Sequence, residues 1–349
     1  TIRAEMSQAN KLSDRIRRGE TVPWYLDALL SAAAPLYGIG MLVRSIPSPT
    51  RVSARVISFG NLTAGGTGKT PAVIERALSE TALGNKVAVL TRGYGAKDRT
   101  SSLLVMESIE AQHAADRLGD EPALIARRVP GVVIARCSNR VAGAEAAIER
   151  GCDVLILDDG YQYLRLARDE NVLLIDARNP FGNGKLIPRG ILRERPAAAR
   201  RATQIILTHC DNVDERALRT LRESLRDWNP TAPIRQTRHA PDTCWPLSGG
   251  ENLPLSALRG QEFTAVCGIA NPEYFASTLE DLGVRIMERR FFGDHEPIPQ
   301  RALEGRFPII TTEKDAIRTG PTRANVYALG IRLEDIEWEA LRENDTHLR

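Results

Sequence analysis

Short unbroken apolar runs alternate with stretches whose apolar residues recur every three or four positions. The runs at 56–59, 87–90, 132–135, 154–157, 172–175 and 205–207 are rich in Val, Ile and Leu. Such runs mark strands buried on both faces of a parallel sheet. Between them, 70–83 and 140–150 carry helical periodicity. The alternation predicts an α/β fold with a doubly wound, mostly parallel sheet and right-handed crossovers. Ligands of such sheets sit outside the carboxyl ends of the strands. A stretch at 229–252, rich in Pro, Thr and Gly, reads as a connection with at most a short strand pair. The alternation then resumes, with strands at 264–267, 285–289 and 309–311 and a helix at 272–282. The pattern predicts an N-terminal segment 1–50, a larger α/β domain 51–230 and a smaller α/β domain 231–349.

The first fifty residues stand apart. Arg15, Arg17 and Arg18 precede Trp24, Tyr25 and Leu26, and 28–43 is almost wholly apolar or small, interrupted by Pro35, Gly38 and Gly40. The run is at the lower limit for spanning a bilayer, and no signal-type cleavage site follows it. Two readings stand: a buried or surface helix pair, or an interfacial helix on an anionic membrane.

Composition narrows the function classes. The 349 residues are 42% hydrophobic and 26% charged with a formal net charge of +3, ordinary for a globular chain and no pointer to nucleic acid. Five scattered cysteines without a C-x-x-C pair, and five scattered histidines, fit reduced thiols rather than a disulfide framework or a zinc site.

The chemistry begins at 60–70, G-N-L-T-A-G-G-T-G-K-T, directly after the first apolar run. Gly65, Gly66 and Gly68 let the backbone turn so that successive N–H groups face phosphate oxygens. Lys69 supplies a charge for the β- and γ-phosphates, Thr70 a hydroxyl for Mg²⁺, and a helix starting there aims its positive end at the same groups. Thr63, Ala64 and Thr67 complete the expected nucleotide-binding loop. The consensus P-loop has Gly where this chain has Thr63, so a Gly-rich turn with a chance Lys-Thr is the competing reading. The run at 154–157 ends in Asp158-Asp159. Adjacent carboxylates at a buried strand end need a cation or donors, which suits Mg²⁺; a solvated Asp-Asp-Gly turn is the alternative. Asp120, in Gly119-Asp120-Glu121-Pro122, is a general-base candidate or a plain helix N-cap. Arg92 closes the 87–90 run, where it can meet phosphates. The long loop at 179–194 carries Asn183, Arg193 and Glu194 and reads as functional.

In order, these motifs resemble those of tetraacyldisaccharide 4′-kinases, the lipid A 4′-kinases of Gram-negative bacteria. They are 61–71, Arg92-Gly93-Tyr94-Gly95, 119–122, Asp158-Asp159-Gly160-Tyr161-Gln162, Asn179-Pro180-Phe181-Gly182, Arg193-Glu194, 268–272, Asp294-His295 and Thr312-Glu313-Lys314-Asp315. The likeness runs from about residue 24 to about 330, and the family commonly has Ser or Thr at position 63. It implies two P-loop NTPase-like α/β/α domains around a cleft, with an N-terminal helix on the cytoplasmic face of the inner membrane. ATP and Mg²⁺ are the implied cofactors. The acceptor would be the 4′-hydroxyl of a tetraacylated glucosamine disaccharide 1-phosphate. A monomer with no nucleic-acid partner is expected. Carried over by residue, Lys69 and Thr70 serve phosphates and metal, and Asp158, Asp159, Gln162 and Glu194 line the metal site. Asp120 is the base, Arg140 meets the transferring phosphate, and Arg92, Glu121, Asn183 and His295 face substrate. Two positions depart from the family pattern. Tyr163 replaces a His expected to support Asp120, and Asn139 replaces an Asp before Arg140. A phenol can donate to a carboxylate but cannot take up a proton near neutral pH. A catalytically weak homologue is therefore a second reading. A regulatory GTPase is a third, since Thr208-His209-Cys210-Asp211 is similar to a guanine-reading motif without its Lys.

Overall fold

A computed structural model describes residues 23–43, 48–94, 96, 103–111, 113–294, 296–320 and 325–336. The strands are β1 (Arg55–Asn61), β2 (Val87–Thr91), β3 (Leu103–Glu107), β4 (Val133–Cys137), β5 (Val154–Leu157) and β6 (Glu170–Asp176). They continue with β7 (Gln204–Thr208), β8 (Ile234–Pro246), β9 (Glu262–Cys267), β10 (Arg285–Phe291), β11 (Ile309–Thr312) and β12 (Val326–Asp335). The main helices are α1 (Trp24–Val43), α2 (Lys69–Ala82), α3 (Asp120–Arg128), α4 (Arg140–Ile148), α5 (Glu215–Trp228), α6 (Pro272–Asp281) and α7 (Glu313–Thr319). The sheet structure is mixed and mostly parallel, as the alternating pattern predicts for an α/β chain.

The described residues fall into two compact units that interleave along the chain rather than following one another. The first takes Thr1–Lys69, Arg140–Arg238 and Glu334–Arg349; the second takes Thr70–Asn139 and His239–Leu333. The expected division at 230/231 lies near one crossing, at 238/239, but the expected domains 51–230 and 231–349 are each shared between the two units. Composition marks linkers, whereas compactness follows strand pairing, which need not respect chain order.

In the first unit β1 lies between β5 and β6, both parallel to it, and β7 and the start of β8 continue the parallel order beyond β6. Val56, Ile57 and Phe59 of β1 are buried, each worth about 1.5–3 kcal/mol relative to exposure. One apolar cluster joins Leu62 after β1, Tyr161 after β5 and Leu192 from the 179–194 loop to Leu218, Leu221 and Leu225 of α5. Three loops at the carboxyl ends of the strands therefore share a single core. In the second unit β2 pairs with β4 in parallel and β4 with β3 antiparallel. Parallel pairing gives the order β10-β9-β11-β12, over a core that includes Phe263, Phe275, Leu279 and Ile310.

Several elements escape the apolar pattern. β8 occupies the stretch read as a connection, because its polar residues hide it; Gln236 and Thr237 are buried in it. β3 is half exposed and gives only a weak run. Among the described residues of the N-terminal segment, α1 is one 20-residue helix. Pro35 gives up one backbone hydrogen bond without ending the helix. Trp24, Tyr25 and Leu29 are exposed on it, and Asp27 pairs with Arg189. No helix among the described residues is long and apolar enough to cross a membrane. All five cysteines are buried and free, and burial pushes the Cys210 and Cys244 thiols up to about 11 and Cys267 to about 12.

Candidate active site

β1 feeds the glycine loop directly, and α2 begins at Lys69. Gly65 and Gly68 have φ of +130° and +76°, backbone that L side chains rarely adopt. Nothing lies within 4 Å of where a Cβ on Gly65 or Gly66 would be, so that face of the loop is open. The Thr67 hydroxyl is buried without a hydrogen-bond partner, and the Thr67 carbonyl accepts from the Thr208 hydroxyl at 3.2 Å. Thr63 is buried and bridges Leu192, while Ala64 N–H donates to the Ile191 carbonyl and Arg193 N–H to the Leu62 carbonyl, both at 2.7 Å. The first half of the glycine loop is thus sewn to the 179–194 loop, which is how Arg193 and Glu194 reach it.

The Lys69 ammonium is held by Asn61 Oδ1 at 3.3 Å and Asp159 Oδ1 at 3.5 Å. Arg193 donates to both oxygens of Asp159, at 2.9 and 2.7 Å. Burial alone would raise the Asp159 pKa, but Lys69 and Arg193 outweigh it and hold the carboxyl below its usual range. Asp159 has φ +55°, a left-handed conformation costly for a non-glycine residue, and Asp158 is buried beside it. Gln162 donates to the Asn61 carbonyl at 2.9 Å and to Glu194 at 3.1 Å, and Arg201 forks onto both Glu194 oxygens at 2.9 Å. Lys69, Asp159, Gln162 and Glu194 therefore form one hydrogen-bonded network through Asn61 and Arg193. Arg140 is buried at the start of α4, and its N–H donates to the Tyr163 hydroxyl at 3.1 Å.

Asp120 and Glu121 belong to the other compact unit. Gly119, not Asp120, is the N-cap of α3, so the plain-cap reading of Asp120 fails. Its carboxylate accepts instead from Arg318 Nε of α7 at 2.5 Å. Arg318 also reaches buried Asp315, whose carboxylate accepts from the hydroxyl of Thr312, the N-cap of α7, at 2.7 Å and from the Gly268 N–H at 3.0 Å. Lys314 pairs with Glu121 at 2.8 Å. Arg92 is exposed at the end of β2. Asn183 bridges its own loop, donating to the Arg189 carbonyl and accepting from Lys185 N–H, both at 3.1 Å. His295 lies outside the described residues.

Sequence reasoning missed Asn61, Arg201 and Arg318. Asn61 sits inside the quoted loop motif, and Arg318 follows Thr312-Glu313-Lys314-Asp315 by three residues. Arg201 carries no local signal.

A parallel strand, glycine loop and helix, with Lys69 beside a strand-end carboxylate, define a P-loop nucleotide-binding protein. The family model described as tetraacyldisaccharide-1-P 4′-kinase, LpxK, matches residues 26–344. A tetraacyldisaccharide 4′-kinase of Anaeromyxobacter dehalogenans is 40% identical over 329 residues, covering 91% of this chain and 86% of that protein. The Geobacter metallireducens protein of the same description is 38% identical over 312 residues, covering 86% and 87%. The crystal structure of LpxK from Aquifex aeolicus in complex with ATP matches with a TM-score of 0.72 at 26% identity, covering 92% of this chain and 99% of that one. The chain belongs to the tetraacyldisaccharide 4′-kinase family, ATP-binding kinases of lipid A biosynthesis. That membership favours the kinase over the regulatory GTPase among the sequence readings.

Proposed function

We propose that the chain moves the γ-phosphate of ATP to the 4′-hydroxyl of a tetraacylated glucosamine disaccharide 1-phosphate with Mg²⁺ as the metal. The observation that carries this reading is the cation–carboxylate arrangement on the open glycine loop, Lys69 and Arg193 gathered on Asp159. Hydroxyl and carboxylate oxygens from Thr70, Asp158, Asp159 and Glu194, with the Gln162 amide, are the hard donors that Mg²⁺ takes. No group of three or more His, Cys, Asp or Glu side chains placed to hold a metal ion occurs among the described residues. That fits an ion held by one or two carboxylates plus phosphate oxygens. Thr70, Asp158, Asp159 and Glu194 are the candidate holders, with Asp159 and Glu194 also serving cationic side chains. The metal, when bound, offsets phosphate charge.

The loop N–H groups, with Thr63 to Gly68, hold the phosphates, and Lys69 leaves Asp159 for the β- and γ-oxygens. Asp120 takes the proton of the attacking hydroxyl as the new O–P bond forms and the bond to the β-phosphate bridging oxygen breaks. Arg140 and Arg92 serve phosphate charge, Tyr163 fixes the start of α4 and supports the base, and Glu121, Asn183 and His295 contact the disaccharide. The exposed aromatic end of α1 rests on the cytoplasmic face of the inner membrane, and the enzyme works as a monomer. Transfer of labelled γ-phosphate from ATP or GTP, with and without the disaccharide lipid, tests the reading. Lipid-dependent transfer from ATP is expected; transfer that ignores the lipid overturns it.

A further inference from the structure

Arg168, between the acid loop and β6, makes no contribution to the chemistry above, yet its guanidinium reaches five acceptors of the first unit. One terminal nitrogen shares its two N–H groups among Ser58 Oγ at 3.3 Å, the Gly160 carbonyl at 3.2 Å, the Tyr161 carbonyl at 3.4 Å and Asn171 Oδ1 at 3.0 Å. The other donates to the Tyr163 carbonyl. All five acceptors are neutral. Burial, and to a lesser degree the nearby Arg201, push its pKa down to about 10, so it remains a cation at neutral pH. A cation drawn out of water among neutral acceptors is costly unless its hydrogen bonds are met, and here they tie three carbonyls of one loop to β1 and β6.

The same loop is pressed onto β1. Gly160 N–H donates to the Phe59 carbonyl at 2.8 Å. A Cβ on Gly60 would meet Tyr161 Cβ at 2.6 Å, and one on Gly160 would meet Leu157 Cβ at 2.5 Å and Ser58 Oγ at 2.7 Å. The loop so confined carries Asp158 and the left-handed Asp159, whose strained backbone persists only where its surroundings over-determine it.

We propose that Arg168 is a positioning residue, holding 158–163 against β1 in the conformation that presents Asp158 and Asp159 to Mg²⁺ and phosphate. It acts through the loop carbonyls. The inference rests on the proposed metal role of those carboxylates. Equilibrium binding of ATP, with and without Mg²⁺, tests it on wild type, Arg168→Met and Arg168→Lys, with circular-dichroism melts for each. In Arg168→Met the gain in affinity that Mg²⁺ confers should shrink by about 10-fold or more, the usual size for a residue behind a metal ligand. Affinity for ATP without Mg²⁺ should stay within about twofold, and Arg168→Lys, which keeps the charge and some of the bonds, should fall between. Should Arg168→Met not fold, the same split in Arg168→Lys decides. An unchanged Mg²⁺ gain in a folded variant overturns the positioning role, as does an equal loss with and without Mg²⁺. A wild type that gains nothing from Mg²⁺ overturns the metal reading together with the inference.

Discussion

The acid loop and the base candidate show two ways of holding a carboxylate. Asp159 is gripped by Arg193, 34 residues away, and by Lys69, which heads the helix following the glycine loop of the neighbouring strand β1. Asp120 is gripped by Arg318, 198 residues away, and its neighbour Glu121 by Lys314, 193 residues away. The first arrangement is a motif that carries its own partners. The second exists only because α7 packs where α3 begins, and α7 is itself fixed by buried Asp315. Its geometry therefore depends on a distant segment, whereas that of Asp159 depends on a local loop.

The largest expected effect strikes the second region. Asp120→Asn should lower kcat by about 10³-fold while leaving the KM for ATP nearly unchanged, within the span of lost general-base catalysis. A fall of less than tenfold would reduce the α3–α7 region to scaffolding. Next, Lys69→Met should cost about 10²-fold or more in kcat/KM, in line with removing one charge from a transferring phosphate; full activity at saturating ATP would break the local arrangement instead. Arg318→Met sharpens the comparison. A drop of about 10-fold in kcat, with an unchanged KM for ATP, is expected if it only aims Asp120, and a raised KM for ATP would make Arg318 a nucleotide contact.

The smallest effect concerns Asp176, at the end of β6, which accepts a two-point bond from Arg178, with His209 Nδ1 3.3 Å away. Burial would raise its pKa, but His209 and Arg178 outweigh that and hold it well below the usual carboxylate range. A depressed carboxyl adds stability above its unfolded value near 4, and that stability is lost as pH falls below it. Asp176→Asn should therefore melt below wild type at pH 7, with the gap narrowing at pH 3. An equal gap at both values would remove the charge explanation.

Legibility follows the same divide. The β1–loop–α2 unit and Asp158-Asp159 were visible because strand, turn and helix residues occur together in sequence and the site is built in that order. The role of Thr63 was visible only through the resemblance; the structure adds that its backbone bridges Leu192. Asn61 was quoted without a role, since nothing in sequence shows an amide turned back onto Lys69. Arg168, Arg201 and Arg318 were silent because an arginine is ordinarily a surface residue: the loop carbonyls and loop carboxylate that make Arg168 and Arg201 clamps carry no sequence signature of that pairing, and the acceptor of Arg318 lies 198 residues away. β8 was silent for the converse reason, a strand whose buried residues include Gln236 and Thr237.

The cysteines give the fold a reporter that needs no labelling site to be built in. Cys152 and Cys210 lie in one compact unit, and Cys137, Cys244 and Cys267 in the other. A buried thiol reacts with an alkylating reagent only after its surroundings open. The order in which the two sets of peptides gain mass in mild urea then states which unit loosens first, and adding ATP shows which of them the nucleotide steadies.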